Sequence, residues 1–227
     1  MPNRPLRIVV FAALAAVLLA LLVTSGSGAD AVTLPDPTVD EDRSAAKGKK
    51  TVVLAGGCFW CTEAVFEPLI GVDKVISGYS GGDASSAHYD IVSEGRTSHA
   101  EAIQITYDPS RITLGQILKV FFGVAHDPTT LNRQGPDHGK QYRSAIFYKD
   151  DEQKRIAESY VQQLTQAKVF AQPIVTEVSA LKAFYPAEAY HQDYVRNNPM
   201  NPYVLANARP KLEKLKKAFP TLLKNKK

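Results

Sequence analysis

Both cysteines and the single tryptophan of this chain lie in one short segment, residues 58–61 with the sequence CFWC. An apolar run at 52–55 precedes the segment, two glycines separate them, and a helical pattern follows at 64–66. This order predicts a strand, a tight turn and a helix that begins near Cys58. The unpaired N–H groups and the dipole of a helix N-terminus favour negative charge, so the position favours the thiolate of Cys58.

The second cysteine, Cys61, follows Cys58 by three residues and therefore lies on the same face of the predicted helix. A disulfide between them would close a very small loop, and the stabilisation from loop closure grows with loop length. Redox chemistry is thus a better reason for the pair than a structural bridge. The alternative is that both thiols are small apolar side chains in the core, which a Gly-Gly-Cys turn argues against.

Residues 1–31 are typical of a signal peptide or an N-terminal membrane anchor. Arg4 and Arg7 precede an apolar run at 8–23, and small residues follow at 29–31. A helix that spans a bilayer needs about 20 apolar residues, and this run is slightly shorter, so both readings stay open. Either one predicts that the rest of the chain is exported, to the periplasm or another extracytoplasmic space.

The remaining chain is predicted to be a linker at 32–50, one catalytic domain at 51–220 and a basic tail at 221–227. Hydrophobic residues make up 44% and charged residues 22% of the sequence, as in an ordinary globular protein. The net charge of +4 comes largely from the two ends. No basic stripe with interleaved aromatic residues is present, which excludes nucleic acid as a partner. We expect a monomer.

The periodicity of the sequence predicts an α+β fold. Strands are expected at 51–55, 73–79, 100–107, 144–148 and 174–178, and residues 100–107 alternate with the period of two that is typical of a strand. Helices are expected at 58–67, after Thr113, which can be the N-cap residue, and at 151–168, 187–196 and 210–219. The order βαββαβ matches the ferredoxin-like split βαβ two-layer sandwich with additional helices. Two polar segments, 80–99 and 125–143, are too long for simple connections and are predicted to be active-site loops.

The histidines of these loops do not predict a metal site. No second Cys-x-x-Cys and no His-x-x-x-His pair completes a tetrahedral ligand set in the sequence. We therefore predict no metal and no cofactor. Glu63 is expected to be an ordinary charge in the first turn of its helix.

Six motifs occur in order between residues 51 and 205, and together they resemble one family. They are Gly57-Cys58-Phe59-Trp60, Gly78-Tyr79-Ser80-Gly81-Gly82, His99-Ala100-Glu101-Ala102, Tyr107-Asp108-Pro109, Asp137-His138-Gly139-Lys140-Gln141-Tyr142-Arg143-Ser144 and His191-Gln192-Asp193-Tyr194. Any one of them alone would be weak, but all six in sequence are specific. The chain resembles the peptide methionine sulfoxide reductase A family.

The resemblance implies that the protein reduces methionine-S-sulfoxide, free or within oxidised proteins and peptides, and repairs oxidative damage. It implies that Cys58 is the nucleophile and becomes a sulfenic acid. It also implies that Phe59 and Trp60 line the pocket for the methyl group of the substrate. An aromatic wall beside a thiol suits that group, because sulfur–aromatic contacts contribute about 0.3–1.5 kcal/mol.

The resemblance further implies that Glu101, Tyr89 and Tyr142 surround the sulfoxide oxygen and that Asp137 organises this part of the site. The chemistry needs such residues, because a sulfoxide oxygen leaves poorly until it is protonated. A glutamic acid that remains protonated near neutral pH requires burial to raise its pKa.

One position departs from the family pattern. Many members have glycine where Cys61 stands, and they place resolving cysteines near the C-terminus, whereas this chain has none after Tyr194. The resemblance together with this departure predicts a Cys58–Cys61 disulfide that a thioredoxin-like donor reduces.

Two other functions stay open from the sequence. A thioredoxin-like thiol–disulfide oxidoreductase would also use a Cys-x-x-Cys pair. That fold usually has Trp before the first cysteine and Gly-Pro between the two, whereas Phe59 and Trp60 lie between them here. A secreted binding module with a structural disulfide is the third reading.

Overall fold

The computed structural model describes residues 34–225 of the chain. The helices are α1 (Phe59–Phe66), α2 (Tyr89–Val92), α3 (Leu114–Val120), α4 (Asp151–Gln166), α5 (Tyr194–Asn197) and α6 (Arg209–Ala218). The strands are β1 (Lys50–Gly56), β2 (Val72–Ser80), β3 (Ala100–Tyr107), β4 (Arg133–Gln134), β5 (Asp137–His138), β6 (Ser144–Tyr148), β7 (Glu177–Ala180) and β8 (Phe184–Pro186).

Six strands form one sheet in the order β7-β6-β1-β3-β2-β8. All neighbours are antiparallel except β6 and β7, which are parallel. The short strands β4 and β5 pair separately. The α+β class is confirmed, and the first four predicted strands match β1, β2, β3 and β6 to within a residue. The fifth predicted strand corresponds to β7, which begins three residues later than predicted.

Alternation along β3 explains how the sheet separates two apolar clusters. Ile103, Ile105 and Tyr107 belong to the large core that also contains residues of α1, α3 and α4. Ala100 and Ala102 point the other way, into a smaller cluster against which Leu181 and Phe184 pack. Glu101 lies between these two alanines in sequence, so its side chain points to the helical face of the sheet. This alternation therefore brings a carboxyl group towards α1.

The capping of α3 follows the sequence as predicted. The hydroxyl of Thr113 accepts a hydrogen bond from the backbone N–H of Gln116, and the Gln116 side chain accepts one from the N–H of Thr113. The helix is extended at its C-terminal end by a π-helical turn, Phe121–Ala125. A π turn of this kind is rare and frequently marks a functional region, and this one ends beside the cysteines.

The prediction of one helix at 187–196 is wrong. The chain there forms β8, a 3₁₀ turn at Ala189–His191 and the single-turn helix α5. Gln192 binds the backbone of Ser77 in β2 with both ends of its amide, which holds this part of the chain against the sheet. Asp193 then adopts a left-handed conformation with a φ of 56°. Neither arrangement is compatible with one continuous helix.

The predicted linker is a packed arm over its described residues. Leu34 is buried in the large core. Asp40 accepts a hydrogen bond from the N–H of Gly115 at 2.8 Å, and Glu41 accepts one from the N–H of Leu114 at 2.7 Å. The two carboxylates thus satisfy N–H groups in the first turn of α3, which have no partner within the helix. We call residues 34–46 the N-terminal arm.

The end of the chain is also attached to the domain. The backbone of Leu223 bridges that of Leu69, and the N–H of Lys224 donates to the carbonyl of Pro68 at 2.8 Å. The segment predicted as a signal peptide or anchor lies outside the described residues. Within 34–225, no helix is long and apolar enough to cross a membrane.

Candidate active site

Cys58 lies between β1 and α1 and is the N-cap residue of α1. Gly57 forms the turn before it with a φ of +88°, and a Cβ atom there would lie 2.6 Å from the Cβ of Gln134. Glycine meets both conditions, because it tolerates positive φ and adds no side chain to a crowded position. The predicted strand, turn and helix are therefore confirmed, and they place Cys58 at the N-terminus of α1.

Cys58 and Cys61 form a contacting pair of thiols. Their side chains are hydrogen-bonded to each other, and both cysteines are free. Cys58 is 8% exposed and Cys61 is 2% exposed. They pack with Val204 and Ala208 from the segment that precedes α6. The prediction that one helical turn brings the two sulfur atoms together is confirmed.

The ionisation of Cys58 differs from the expectation drawn from the sequence. Burial, followed by the hydrogen bond and the charge of Cys61, raises the pKa of Cys58 well above its usual value. The expected resting thiolate is therefore wrong for this buried state. The dipole of a helix contributes about 0.3–1 kcal/mol, which is less than the cost of burying a charge. Deprotonation of Cys58 consequently has to accompany the reaction.

Glu101 lies beside this thiol, at the start of α1. Its Oε2 accepts a hydrogen bond from the N–H of Phe59 at 3.0 Å, and the side chain is 3% exposed. Burial raises the pKa of Glu101 well above its usual value, and the charge of Cys58 raises it further. Both causes favour the protonated form of the carboxyl group. A protonated acid next to a thiol can deliver a proton to an atom that the thiol attacks.

Tyr89 and Tyr142 complete the polar side of this region. Tyr89 is the first residue of α2, in the first predicted loop, and Tyr142 ends the 3₁₀ turn Lys140–Tyr142 in the second. Burial raises the pKa of both phenols, and the charge of Glu101 is the second cause for each. Both therefore remain neutral O–H donors. Both phenols lie close enough to Glu101 for its charge to raise their pKa.

Phe59 and Trp60 form the aromatic side. The Phe59 ring centroid is 4.9 Å from the imidazole centroid of His191. The Trp60 indole N–H lies 3.0 Å from Nδ1 of His191, which accepts its hydrogen bond. The indole also stacks on the ring of Tyr194, with 3.6 Å between centroids and 6° between planes. These contacts fix the orientation of both rings beside Cys58.

Asp137 is held by a residue that the sequence analysis missed. The hydroxyl of Tyr203 donates to Oδ2 of Asp137 and also contacts the thiol of Cys58. The Tyr203 ring meets the Trp60 indole edge-on, with centroids 5.9 Å apart. Tyr203 thus joins the aromatic side, the carboxylate and the nucleophile. It lies within the span of the resemblance, but it belongs to none of the six motifs.

Glu188, which the sequence analysis also missed, holds Tyr89 in position. Its Oε1 accepts a hydrogen bond from the N–H of Tyr89, and its Oε2 accepts one from the hydroxyl of Tyr79, both at 2.9 Å. The Tyr89 ring lies 4.4 Å from the ring of His191. Glu188 therefore positions Tyr89 and has no direct contact with the thiols among those the structure describes.

Glu63 differs from its predicted role as a first-turn charge. It is 1% exposed, and burial raises its pKa to about 7. The backbone N–H groups of Asp193 and Tyr194 donate to its carboxyl group. Among residues 34–225, the trio of Glu63, Glu67 and Asp193 is the one group close enough to share a metal ion. It contains none of the residues around Cys58.

The geometry around Cys58 fits one class of protein. Two contacting thiols beside a buried carboxyl group and a pair of aromatic rings suit a thiol-dependent oxidoreductase. The peptide methionine sulfoxide reductase family model matches residues 50–223. The chain belongs to the peptide methionine sulfoxide reductase family, and its reaction is the reduction of methionine sulfoxide.

Two curated relatives show how closely the chain matches. Peptide methionine sulfoxide reductase MsrA 2 of Mesorhizobium japonicum is 53% identical over 185 residues, which cover 82% of this chain and 95% of that protein. The protein of the same name from Synechocystis is 51% identical over 193 residues, which cover 84% and 90%.

Solved structures agree with the sequence comparison. Reduced Mxr1 of Saccharomyces cerevisiae superposes with a TM-score of 0.64 at 34% identity, covering 74% of this chain and 94% of that one. Methionine sulfoxide reductase A of Corynebacterium diphtheriae gives 0.60 at 32% identity, covering 77% and 87%.

Proposed function

We propose that Cys58 attacks the sulfur atom of methionine-S-sulfoxide, free or within a protein, while Glu101 protonates the departing oxygen. The attack forms a transient bond between the two sulfur atoms. The protonated oxygen then passes from the substrate sulfur to that of Cys58, so the substrate S–O bond and the transient S–S bond break as an S–O bond to Cys58 forms. Methionine leaves, and Cys58 becomes a sulfenic acid. The proton that the Cys58 thiol loses restores the Glu101 carboxyl group, so the step consumes no net proton.

The observation that carries this proposal is the buried Glu101 carboxyl group at the N-terminus of α1. Its pKa is raised by burial and by Cys58, so it holds its proton next to a thiol that needs a partner acid. Tyr89 and Tyr142 are neutral donors whose pKa values respond to the Glu101 charge. Together they can hold the sulfoxide oxygen while Phe59 and Trp60 hold the methyl group.

We propose that Cys61 resolves the sulfenic acid. The Cys61 sulfur attacks that of Cys58, water leaves, and a Cys58–Cys61 disulfide remains. The contact between the two thiols supports this step. Two thiols of a thioredoxin-like donor then reduce the disulfide by thiol–disulfide exchange. Mxr1, which resembles this chain, has been solved in a reduced and in an oxidised form.

A test uses each pure epimer of methionine sulfoxide with the reduced protein and dithiothreitol, and it follows methionine. We expect turnover of the S epimer and none of the R epimer. Equal turnover of both epimers would contradict the proposed pocket. Reduction of insulin without turnover of either epimer would favour the thioredoxin-like alternative instead.

We also propose that residues 1–31 export the protein to the periplasm or another extracytoplasmic space, and that it acts as a monomer. The charged start and apolar run of the sequence support export. N-terminal sequencing should give a start near Asp30 or Val32 if the segment is cleaved. A full-length chain in the soluble cytoplasmic fraction would contradict export, and a dimeric mass in solution would contradict the monomer.

For the fold, we propose the ferredoxin-like split βαβ arrangement for the central strands. The strand order β6-β1-β3-β2, with α1 between β1 and β2 and α3 between β3 and β6, supports it. A crystal structure in which β1 pairs directly with β2 would contradict it.

A further inference from the structure

A cavity of about 330 Å³ opens onto both cysteines, on the side that faces α6. Besides Cys58 and Cys61, it is lined by Tyr203, Lys211 and Lys214, among others. Its volume is at the lower end of the range for sites of small ligands. The cavity is therefore large enough to admit a small thiol, or the tip of a protein that carries one.

The residues proposed to bind the sulfoxide do not line this cavity. Its described lining contains none of these groups: Phe59, Trp60, Tyr89, Glu101 and Tyr142. The cavity beside α6 therefore reaches Cys58 from a side that these five residues do not line. A redox cycle with a substrate and a separate reductant needs access to Cys58 for both, and this cavity is the candidate path for the reductant.

Two lysines place positive charge on the α6 side of the cavity. The Nζ of Lys211 donates to the carbonyl of Ala125 at 2.6 Å, which fixes its position. The hydrogen bond with Cys58 and, after it, the charge of Lys211 lower the pKa of Cys61. Lys214 is half-buried and has no hydrogen bond or ion pair among the residues that the structure describes. Burial and the charge of Lys211 lower the pKa of Lys214. An anion would relieve that repulsion.

The acidic residues of the lining are already bound. Oδ2 of Asp137 accepts a hydrogen bond from the hydroxyl of Tyr203, and Oδ1 of Asp127 accepts hydrogen bonds from the N–H and the hydroxyl of Thr129. The charge of Asp127 also acts on Lys214, but its effect on the pKa of Lys214 is smaller than that of burial or of Lys211. The cavity therefore combines two cysteine side chains with two lysines, one of which makes no hydrogen bond or ion pair among the described residues.

We propose that this cavity is the site at which an external thiolate attacks the Cys58–Cys61 disulfide, with Lys214 attracting the anionic reductant and Lys211 stabilising the leaving thiolate of Cys61. The inference rests on the proposed function, because the disulfide is the product of that cycle. A thiolate, not a thiol, is the attacking species in such exchange, so a cation beside its path favours the reaction.

The exchange balances in two steps. The external thiolate forms a bond to the sulfur of Cys58, the Cys58–Cys61 bond breaks, and Cys61 leaves as a thiolate. A second thiolate of the reductant then attacks the external sulfur of the mixed disulfide and releases Cys58. The reductant is oxidised to a disulfide, both cysteines are reduced, and solvent supplies their protons. Attack at Cys58 is favoured because the thiol of lower pKa leaves faster.

The test measures reduction of the oxidised full chain by three small thiols of different charge. The thiols are 2-mercaptoethanesulfonate, which is anionic, 2-mercaptoethanol, which is neutral, and cysteamine, which is cationic. Appearance of free Cys58 and Cys61 is followed by rapid alkylation and mass spectrometry. Each variant is compared with wild type for the same thiol, so the intrinsic reactivity of the thiol cancels.

Lys214→Gln should slow reduction by the sulfonate about 3- to 10-fold, consistent with loss of one nearby charge. It should slow the neutral thiol less and should not slow cysteamine. Lys214→Arg should keep the relative rates that wild type shows with the three thiols. Lys217→Gln is the matched control, because Lys217 is exposed on the same helix and does not line the cavity.

Lys211→Gln should slow all three thiols to a similar extent, because it acts on the leaving group. It should also raise the pKa of Cys61 in the reduced protein, measured from the pH dependence of alkylation. Reduction by thioredoxin identifies the source of the thiolate. If Lys214→Gln slows thioredoxin too, a protein donor uses the cavity, and if it slows the sulfonate alone, a small thiol does.

Formation of methionine in one turnover separates the two proposals. Every lysine variant should form methionine as wild type does, because no lysine is among the residues proposed to act on the sulfoxide. No methionine from wild type would mean that the proposed function fails. If Lys214→Gln forms methionine normally and all donors reduce its disulfide as fast as that of wild type, the cavity proposal is overturned and the proposed function is not.

Discussion

At the scale of single residues, burial controls the chemistry of this site. Cys58 and Glu101 are each almost fully enclosed, and burial is the largest cause of the raised pKa of both. Burial therefore favours the protonated form of both groups. In the proposed reaction, the acid gives its proton to the sulfoxide oxygen and regains one from the thiol.

Glu101→Gln should lower the rate of sulfoxide reduction about 10²–10⁴-fold, the usual contribution of a general acid. Glutamine keeps an oxygen that can accept from the N–H of Phe59, so the start of α1 should remain intact. The rate is measured as methionine formed in a single turnover.

Alkylation of Cys58 by iodoacetamide is the control for Glu101→Gln, since it needs no proton on a substrate oxygen. It should continue at a rate close to wild type, because burial and Cys61, which raise the pKa of the Cys58 thiol, are unchanged in the variant. Near wild-type methionine formation in the variant would show that another group, such as Tyr89 or Tyr142, protonates the oxygen.

At the scale of secondary-structure elements, the N-terminal arm holds α3 in place. The Glu41 side chain is 2% exposed and lies 3.0 Å from the Nζ of Lys50. It also accepts hydrogen bonds from the N–H of Leu114 at 2.7 Å and the hydroxyl of Tyr107 at 2.9 Å. The arm is thus part of the folded domain rather than a spacer before it.

Glu41→Ala should lower the free energy of unfolding by about 1.5–3 kcal/mol, since it removes hydrogen bonds to a charged group and leaves buried donors without a partner. Urea denaturation measures the change. Glu152→Ala is the control, because Glu152 binds the same Lys50 at 2.6 Å but is 44% exposed. That variant should lose about 0.2–1 kcal/mol. Equal losses would contradict a buried anchoring role for Glu41.

The contact between α1 and α5 should make stability depend on pH. Glu63 has a pKa of about 7 against an ordinary value of 4.5, so the folded state binds more protons than the unfolded state between these values. The free energy of unfolding should therefore fall as pH rises from about 4.5 to about 7. Glu67, whose pKa is also raised to about 7, adds to the same slope.

Glu63→Gln should make this slope less negative, because it removes one of the carboxyl groups whose pKa is raised by burial. Urea denaturation of both proteins at several pH values between about 4.5 and about 7 measures the difference in slope. The slope of the variant contains the contributions of Glu67 and Glu101 and, with the opposite sign, that of His126, whose pKa burial lowers to about 3. An unchanged slope in Glu63→Gln would show that Glu63 titrates normally.

At the scale of the whole molecule, local patterns predict those parts of the fold that local interactions determine. The turn at Gly57, the alternation along β3 and the cap at Thr113 each depend on neighbours within a few residues, and all three are confirmed. The α+β class follows from their order. The residues around Cys58 are predicted because motifs mark them.

The parts that the sequence does not reveal depend on contacts between distant segments. The N-terminal arm is polar and lacks periodicity, yet Asp40 and Glu41 bind α3 more than seventy residues later. The helix expected at 187–196 has suitable residues, but Gln192 binds β2 instead. Tyr203 reaches Cys58 from the segment before α6. None of these partners is visible in a local window of sequence.

The central claim is that Cys58 takes the oxygen and Cys61 resolves the product. One turnover of methionine-S-sulfoxide without reductant tests it. Wild type should form about one methionine per protein and lose both free thiols, and Cys58→Ser should form none. Cys61→Ser should also form about one methionine but should accumulate a sulfenic acid that dimedone traps. A wild-type protein that keeps a free thiol after one turnover would contradict the account.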